Sequence, residues 1–152
     1  MAKDSWGTTL DISQTNSEYV AAILEKLVPE LASGAVTIEK IARIAGIKTK
    51  IVVSSNDEKV DPVGVMVGSQ GDRIHTVLSL LDGEKIDFIE IDDDPEVFLR
   101  DLLKPAQIQS VEFGDKKAVI KVDEEQKPVA IGKKASNIKL ASQIMWMTLE
   151  IV

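Results

Sequence analysis

The chain has no cysteine and a single histidine, His75, among its 152 residues. The first absence excludes a disulfide framework and thiolate metal sites and fits a reducing compartment. The second leaves a His-based metal site or a Ser-His-Asp triad little to work with. Aromatic residues make up only 4%, too few for a surface that stacks bases on exposed rings. No apolar run approaches the ~18 residues of a membrane span and no signal peptide is visible, so a soluble, cytoplasmic protein without membrane contact is expected. Nor is there an excess of positive charge. The 18 Lys and Arg stand against 25 Asp and Glu, and the formal net charge of −7 argues against non-specific nucleic-acid binding.

What the chain does have is a repeat. Val67-Gly68-Ser69-Gln70-Gly71-Asp72-Arg73-Ile74 returns as Ile131-Gly132-Lys133-Lys134-Ala135-Ser136-Asn137-Ile138, an offset of 64 residues (67 against 131). In each copy a short apolar run enters a glycine-bearing loop and a helical pattern leaves it. Ile74, Val77, Leu78 and Leu81 mark that pattern in the first copy; Ile138, Ala141 and Met145 mark it in the second. A loop of this kind lets backbone come close to a ligand, and the following helix points N–H groups and the positive end of its dipole at the same place. Such a place suits a phosphate.

The flanks fill in the order of elements. Thr8 to Ile12 reads as a short strand, and Thr15 with Glu18 reads as a capping box opening a helix with Tyr19, Val20, Ile23, Leu24 and Leu27 as its apolar stripe, ending near Pro29. Two strands follow between Val36 and Ser54, broken at Ala45-Gly46, then the loop unit and a strand from Lys85 to Ile91 after Asp82-Gly83. Asp94-Pro95-Glu96 starts the next helix, Val97 to Leu103. Strands Ile108–Phe113 and Lys116–Val122, the second loop unit and a last strand Thr148–Val152 complete the set. Both halves read α-β-β-α-α-β, an α+β fold of three-stranded sheets backed by helices. Residues 1–14 are expected to be an N-terminal extension or the remnant of an upstream domain, residues 15–91 a first domain and 92–152 a second. The two are expected to pack as a fixed pair. The acidic runs Asp92-Asp93-Asp94 and Asp123-Glu124-Glu125 read as solvated faces and linkers, while for the basic cluster Lys40, Arg43, Lys48 and Lys50 that reading stays open. Trp146 and Phe88 fall in apolar patterns and are expected in the core.

Two such units with G-x-x-G between the middle helices resemble tandem type II KH domains. Val28-Pro29-Glu30, Ser55-Asn56-Asp57, Val60-Asp61-Pro62-Val63-Gly64, Gly83-Glu84-Lys85-Ile86-Asp87 and Ala130-Ile131-Gly132-Lys133 resemble, more narrowly, the KH pair of the NusA family of bacterial transcription factors, over residues 15 to 152. The resemblance implies binding of single-stranded RNA, the nascent transcript, in a groove beside each loop. It also implies, through a full-length protein, work with RNA polymerase and antitermination factors in elongation, termination and antitermination.

Carried over residue by residue, Gly68, Ser69, Gln70, Gly71 and Arg73 would contact RNA in the first unit. Gly132, Lys133, Lys134, Ser136, Asn137 and Lys139 would do so in the second. An ion pair remains open for Arg73, and a plain helix N-cap for Asp72 and Ser136. The sequence departs from the family pattern at Gln70, where a basic residue is usual, at Ala135 in place of the last glycine, and at Trp146 in the place matching Gly83. A KH-fold protein-interaction scaffold with weakened RNA binding stands as the alternative. Neither loop continues as G-K-[ST] and no acid–base pair is visible, so no enzyme, cofactor or metal is expected.

Overall fold

The computed structural model describes residues 8–81 and 84–152, with side-chain surroundings from residue 18 onward, Ser69 excepted. The first unit runs α1 (Thr8–Leu27), α2 (Pro29–Ser33), β1 (Val36–Ile44), β2 (Lys48–Ser55), α3 (Pro62–Val67), α4 (Asp72–Leu80) and β3 (Lys85–Glu90). The second runs α5 (Pro95–Leu102), β4 (Ser110–Gly114), β5 (Lys117–Lys121), α6 (Lys127–Ile131), α7 (Ser136–Met145) and β6 (Thr148–Ile151). Each unit has one three-stranded sheet in chain order, the first pair antiparallel and the second parallel. The αββααβ order predicted for both halves is found, with the five-residue α2 added after α1 in the first.

The N-terminal reading is corrected. Residues 8–12 are helix and not strand, and Thr15 and Glu18 lie inside α1, so neither opens it. Along α1, Val20 and Leu24 are buried while Tyr19 is half exposed, off the stripe. The end of α1 at Leu27 is near Pro29, as expected; Pro29 itself occupies the first turn of α2, where its missing N–H costs nothing, and Gly34 closes that helix in the left-handed region at φ 84°. The expected break at Asp82-Gly83 lies outside the described residues.

The two units share one of two cores. Val20, Leu24, Val28, Ile51, Val53, Met66 and Val77 pack between the first unit's helices and one face of its sheet. On the opposite face Ala42, Val52 and Ile89 pack with Leu99, Leu102, Leu103, Leu140, Ala141 and Ile144 of the second unit. Strand β2 therefore has both faces covered, and residues 49–53 are all buried, whereas the second sheet buries only the Ala118, Ile120 and Leu149 face. Fully burying a Val, Leu or Ile contributes roughly 1.5–3 kcal/mol, so the shared face adds to the first unit's own core and enlarges that of the smaller second unit.

The basic cluster at 40–50 is tied to the second unit. Lys40 Nζ donates to the Ile144 carbonyl at 2.9 Å and Lys50 Nζ to the Leu102 carbonyl at 2.6 Å. Two lysines of the first unit thus meet the carboxyl ends of α7 and α5, where unpaired carbonyls and the helix dipole favour a cation. Arg43 pairs with buried Glu84, and Lys48 reaches Asp87 at 3.3 Å and Asn137 Oδ1 at 3.4 Å.

Candidate nucleic-acid interface

The two loops have the same backbone. Gly68 (φ 83°, ψ 173°), Gln70 (54°, 26°) and Gly71 (77°, 17°) are matched by Gly132 (79°, 174°), Lys134 (54°, 31°) and Ala135 (62°, 22°). The hydrogen bonds repeat too: Gly68 N to Gly64 O at 3.0 Å and Gly71 N to Gly68 O at 3.1 Å correspond to Gly132 N to Pro128 O at 2.9 Å and Ala135 N to Gly132 O at 3.1 Å. The first glycine of each loop is in a region that only glycine enters without strain. A Cβ there would also collide, with Asp72 Oδ1 and Arg73 Cγ on Gly68 and, at 2.9 Å, with the Asn137 backbone N on Gly132.

The last loop position is less demanding, and this accounts for Ala135. It needs a left-handed residue, which alanine can supply at a cost of about 1–2 kcal/mol. A Cβ on Gly71 would meet nothing nearer than His75 at 3.4 Å. Ala135 and Gly71 are themselves the N-cap residues of α7 and α4, with no side-chain cap at either. The N-cap readings of Asp72 and Ser136 are thereby corrected, since each is the first residue inside its helix. Asp72 Oδ1 instead accepts from Arg73 N at 2.8 Å.

Gln70, Lys133, Lys134 and Lys139 are exposed. Ser69 is in the first loop, and its side chain is outside the described set. Arg73 is turned inward: Nη1 donates to the Val65 carbonyl at 2.8 Å and to Glu30 at 3.1 Å, tying α4 to α3 and α2. Ser136 and Asn137 are 2% and 1% exposed, which corrects the expectation that both reach outward. Asn137 Nδ2 donates to the Ala130 carbonyl at 3.1 Å, with further contacts to the Val129 and Leu103 carbonyls at 3.5 and 3.4 Å. Its amide braces the loop from behind, where unpaired carbonyls at the end of α6 need a donor. Trp146 is also corrected: it is 82% exposed, at the left-handed end of α7 (φ 57°).

Beside the first loop a groove of about 350 Å³ is walled by Val63, Val67 and Ile74 of α3 and α4 and floored by Ile86 and Phe88 of the edge strand β3. Its far wall is Asp101, Lys104 and Pro105, from the second unit. No spacing in the sequence signals that wall, because it exists only through the packing of the two units. Among the described residues no group of three or more metal-binding side chains is placed to hold an ion, and no helix is long and apolar enough to cross a membrane.

Residues 14–91 match the model of the NusA-like first KH domain and residues 95–152 that of the NusA-like second KH domain. The chain is 39% identical over 144 residues to the transcription termination/antitermination protein NusA of Thermus thermophilus, covering 93% of this chain and 37% of that protein. It is 33% identical over 151 residues to the NusA of Bacillus subtilis, covering 98% of this chain and 41% of the relative. The chain thus spans about two-fifths of the length of these relatives. The crystal structure of APE1850 shares the fold, with a TM-score of 0.59 and 24% identity over 87% of this chain and 96% of that one. Two successive family matches, over two units with the same loop geometry and strand order, lead to one conclusion: the chain belongs to the NusA family and carries its tandem KH region.

Proposed function

We propose that this KH pair binds single-stranded RNA, laying the strand along the groove beside the first loop and continuing onto the second, as the RNA-binding part of a NusA-like factor in transcription elongation, termination and antitermination. The observation that carries this reading is the backbone identity of the loops, each placed at the N-terminus of a helix where N–H groups face an incoming phosphate. An apolar groove beside the first loop accepts bases without aromatic stacking, as a KH domain clamping about four nucleotides does.

In this reading residues 15–91 and 92–152 are the two RNA-binding domains. Gly68, Ser69, Gln70 and Gly71 in the first and Gly132, Lys133, Lys134 and Lys139 in the second meet the RNA backbone, while Arg73 and Asn137 hold the loops in shape and Ser136 stands at the seam beside the second loop. The activity is binding and not catalysis, exercised in the cytoplasm with RNA polymerase as partner of the longer protein.

Fluorescence anisotropy with a labelled ten-nucleotide RNA at two salt concentrations tests it. Saturable binding that weakens with salt, and is lost when Lys133 and Lys134 are both changed to Asp, is the expected result. Salt-independent or absent binding by a folded protein would instead assign the pair to protein docking.

A further inference from the structure

At the seam between the units a cavity of about 210 Å³ has Gly46, Lys48 and Lys85 of the first unit on one side and Gly132, Lys133 and Ser136 of the second on the other. We propose that this seam seats a phosphate group held by cations from both units, so that the anion site at the second loop is completed by the first unit.

The walls are cationic and carry no carboxylate. Lys85 and Lys133 are exposed and have no ion pair among the described residues. Lys48, whose side chain is 16% exposed, is held in place by Asp87 and Asn137. Ser136 is 2% exposed and lines the cavity, and among the described residues its Oγ has no hydrogen-bond partner. A buried hydroxyl left so is destabilising, and an anionic oxygen accepting from it removes that cost. Ser136 also opens the ten-residue helix α7, whose first N–H groups have no side-chain cap. Helix terminus, unpartnered buried donor and three lysines converge on one small space. That combination fits a tetrahedral oxyanion better than a base or an apolar group.

The phosphate can come from an RNA backbone crossing between the units or from a free phosphate, and only the first source rests on the RNA reading above. The test measures RNA affinity against salt for the whole chain, for Lys85→Gln and for Lys133→Gln, together with amide NMR titrations using inorganic phosphate and, separately, a ten-nucleotide RNA. Lys85→Gln should bind RNA about fivefold more weakly at 0.1 M salt, with the slope of log K on log salt lower by about 0.7. The Ser136 and Asn137 amides should move with RNA. If inorganic phosphate moves them as well, the seat also takes a free anion; if only RNA does, the ligand is the strand. Ser136→Ala should weaken binding with the salt slope unchanged, since it removes a neutral donor. Wild-type affinity and slope in Lys85→Gln, with a loss in Lys133→Gln, would overturn the shared seat and leave the RNA reading standing. No loss in either variant would sink both.

Discussion

Lys50 Nζ, 1% exposed on the central strand of the first sheet, donates to the carbonyl of Leu102, the last residue of α5, at 2.6 Å and to Asp87 at 3.0 Å. Burial pulls the ammonium below its ordinary value, and the charge and hydrogen bond of Asp87 oppose that pull. The group is therefore a linker between the units whose charged form burial opposes and Asp87 supports. Truncation and isosteric replacement should separate stem from charge. Lys50→Ala should cost about 2–4 kcal/mol, through the cavity and the orphaned Leu102 carbonyl. Lys50→Met, which keeps the stem but leaves the Leu102 carbonyl equally without a donor, should cost less, about 1–3 kcal/mol. Urea unfolding of the two variants checks the order.

Glu84 is the acid-sensitive point of the fold. Its carboxylate, 1% exposed, accepts from Arg43 at 2.9–3.2 Å, from the Gly46 N–H at 3.0 Å and from the Thr49 hydroxyl. Burial alone would raise its pKa, but the hydrogen bonds from Arg43, Thr49 and Gly46 and the Arg43 charge outweigh it, and the net direction is down from 4.5. A folded pKa below the unfolded one means stability that is fully present above the unfolded value and lost as pH falls through the folded one. Glu84→Gln should cost about 3 kcal/mol at pH 7. The gap to wild type should hold down to about pH 5 and close below it, as read from denaturant midpoints across pH.

The two ends of the second loop should respond oppositely to substitution. Ala135→Gly relieves a left-handed alanine and should stabilise by about 0.5–1 kcal/mol, the left-handed cost less the added freedom of the unfolded chain. Gly132→Ala places a Cβ 2.9 Å from the Asn137 backbone N, where no side chain can swing aside. It should destabilise by about 2–4 kcal/mol. Thermal melts decide, and a loss of stability in Ala135→Gly would mean that the left-handed turn is not the rest state of the loop.

Trp146 closes α7 in a left-handed conformation while 82% exposed, so it carries the backbone cost of its position with little burial in return. Trp146→Gly should raise stability by about 1 kcal/mol. Calorimetry in which the variant melted well below wild type would show that the ring packs in solution.

The strand order and both loops were legible because the repeat gave each element a second witness, and because a G-x-x-G loop is a local backbone solution that neighbours do not alter. Long-range packing was not legible. In α4 the stripe Ile74, Val77, Leu78, Leu81 is the inward face, but in α7 the most buried positions are Asn137, Leu140, Ala141 and Ile144, because that helix also lies on the first sheet. The same packing sets Lys40, Lys48 and Lys50, whose role the sequence left open, in contact with the second unit. At Trp146 the apolar pattern ran on past the last helical residue, and hydrophobicity alone could not tell a core position from a helix terminus.

Strand β2, covered on both faces, also sets how the molecule comes apart. Its amides at 49–53 reach solvent only when both neighbours have left it, so they should be the slowest in the chain to exchange hydrogen for deuterium, at rates set by opening of the whole pair. A ligand on either loop would then slow exchange in the same strand, and the protein would report occupancy of one unit as rigidity in the centre of the other.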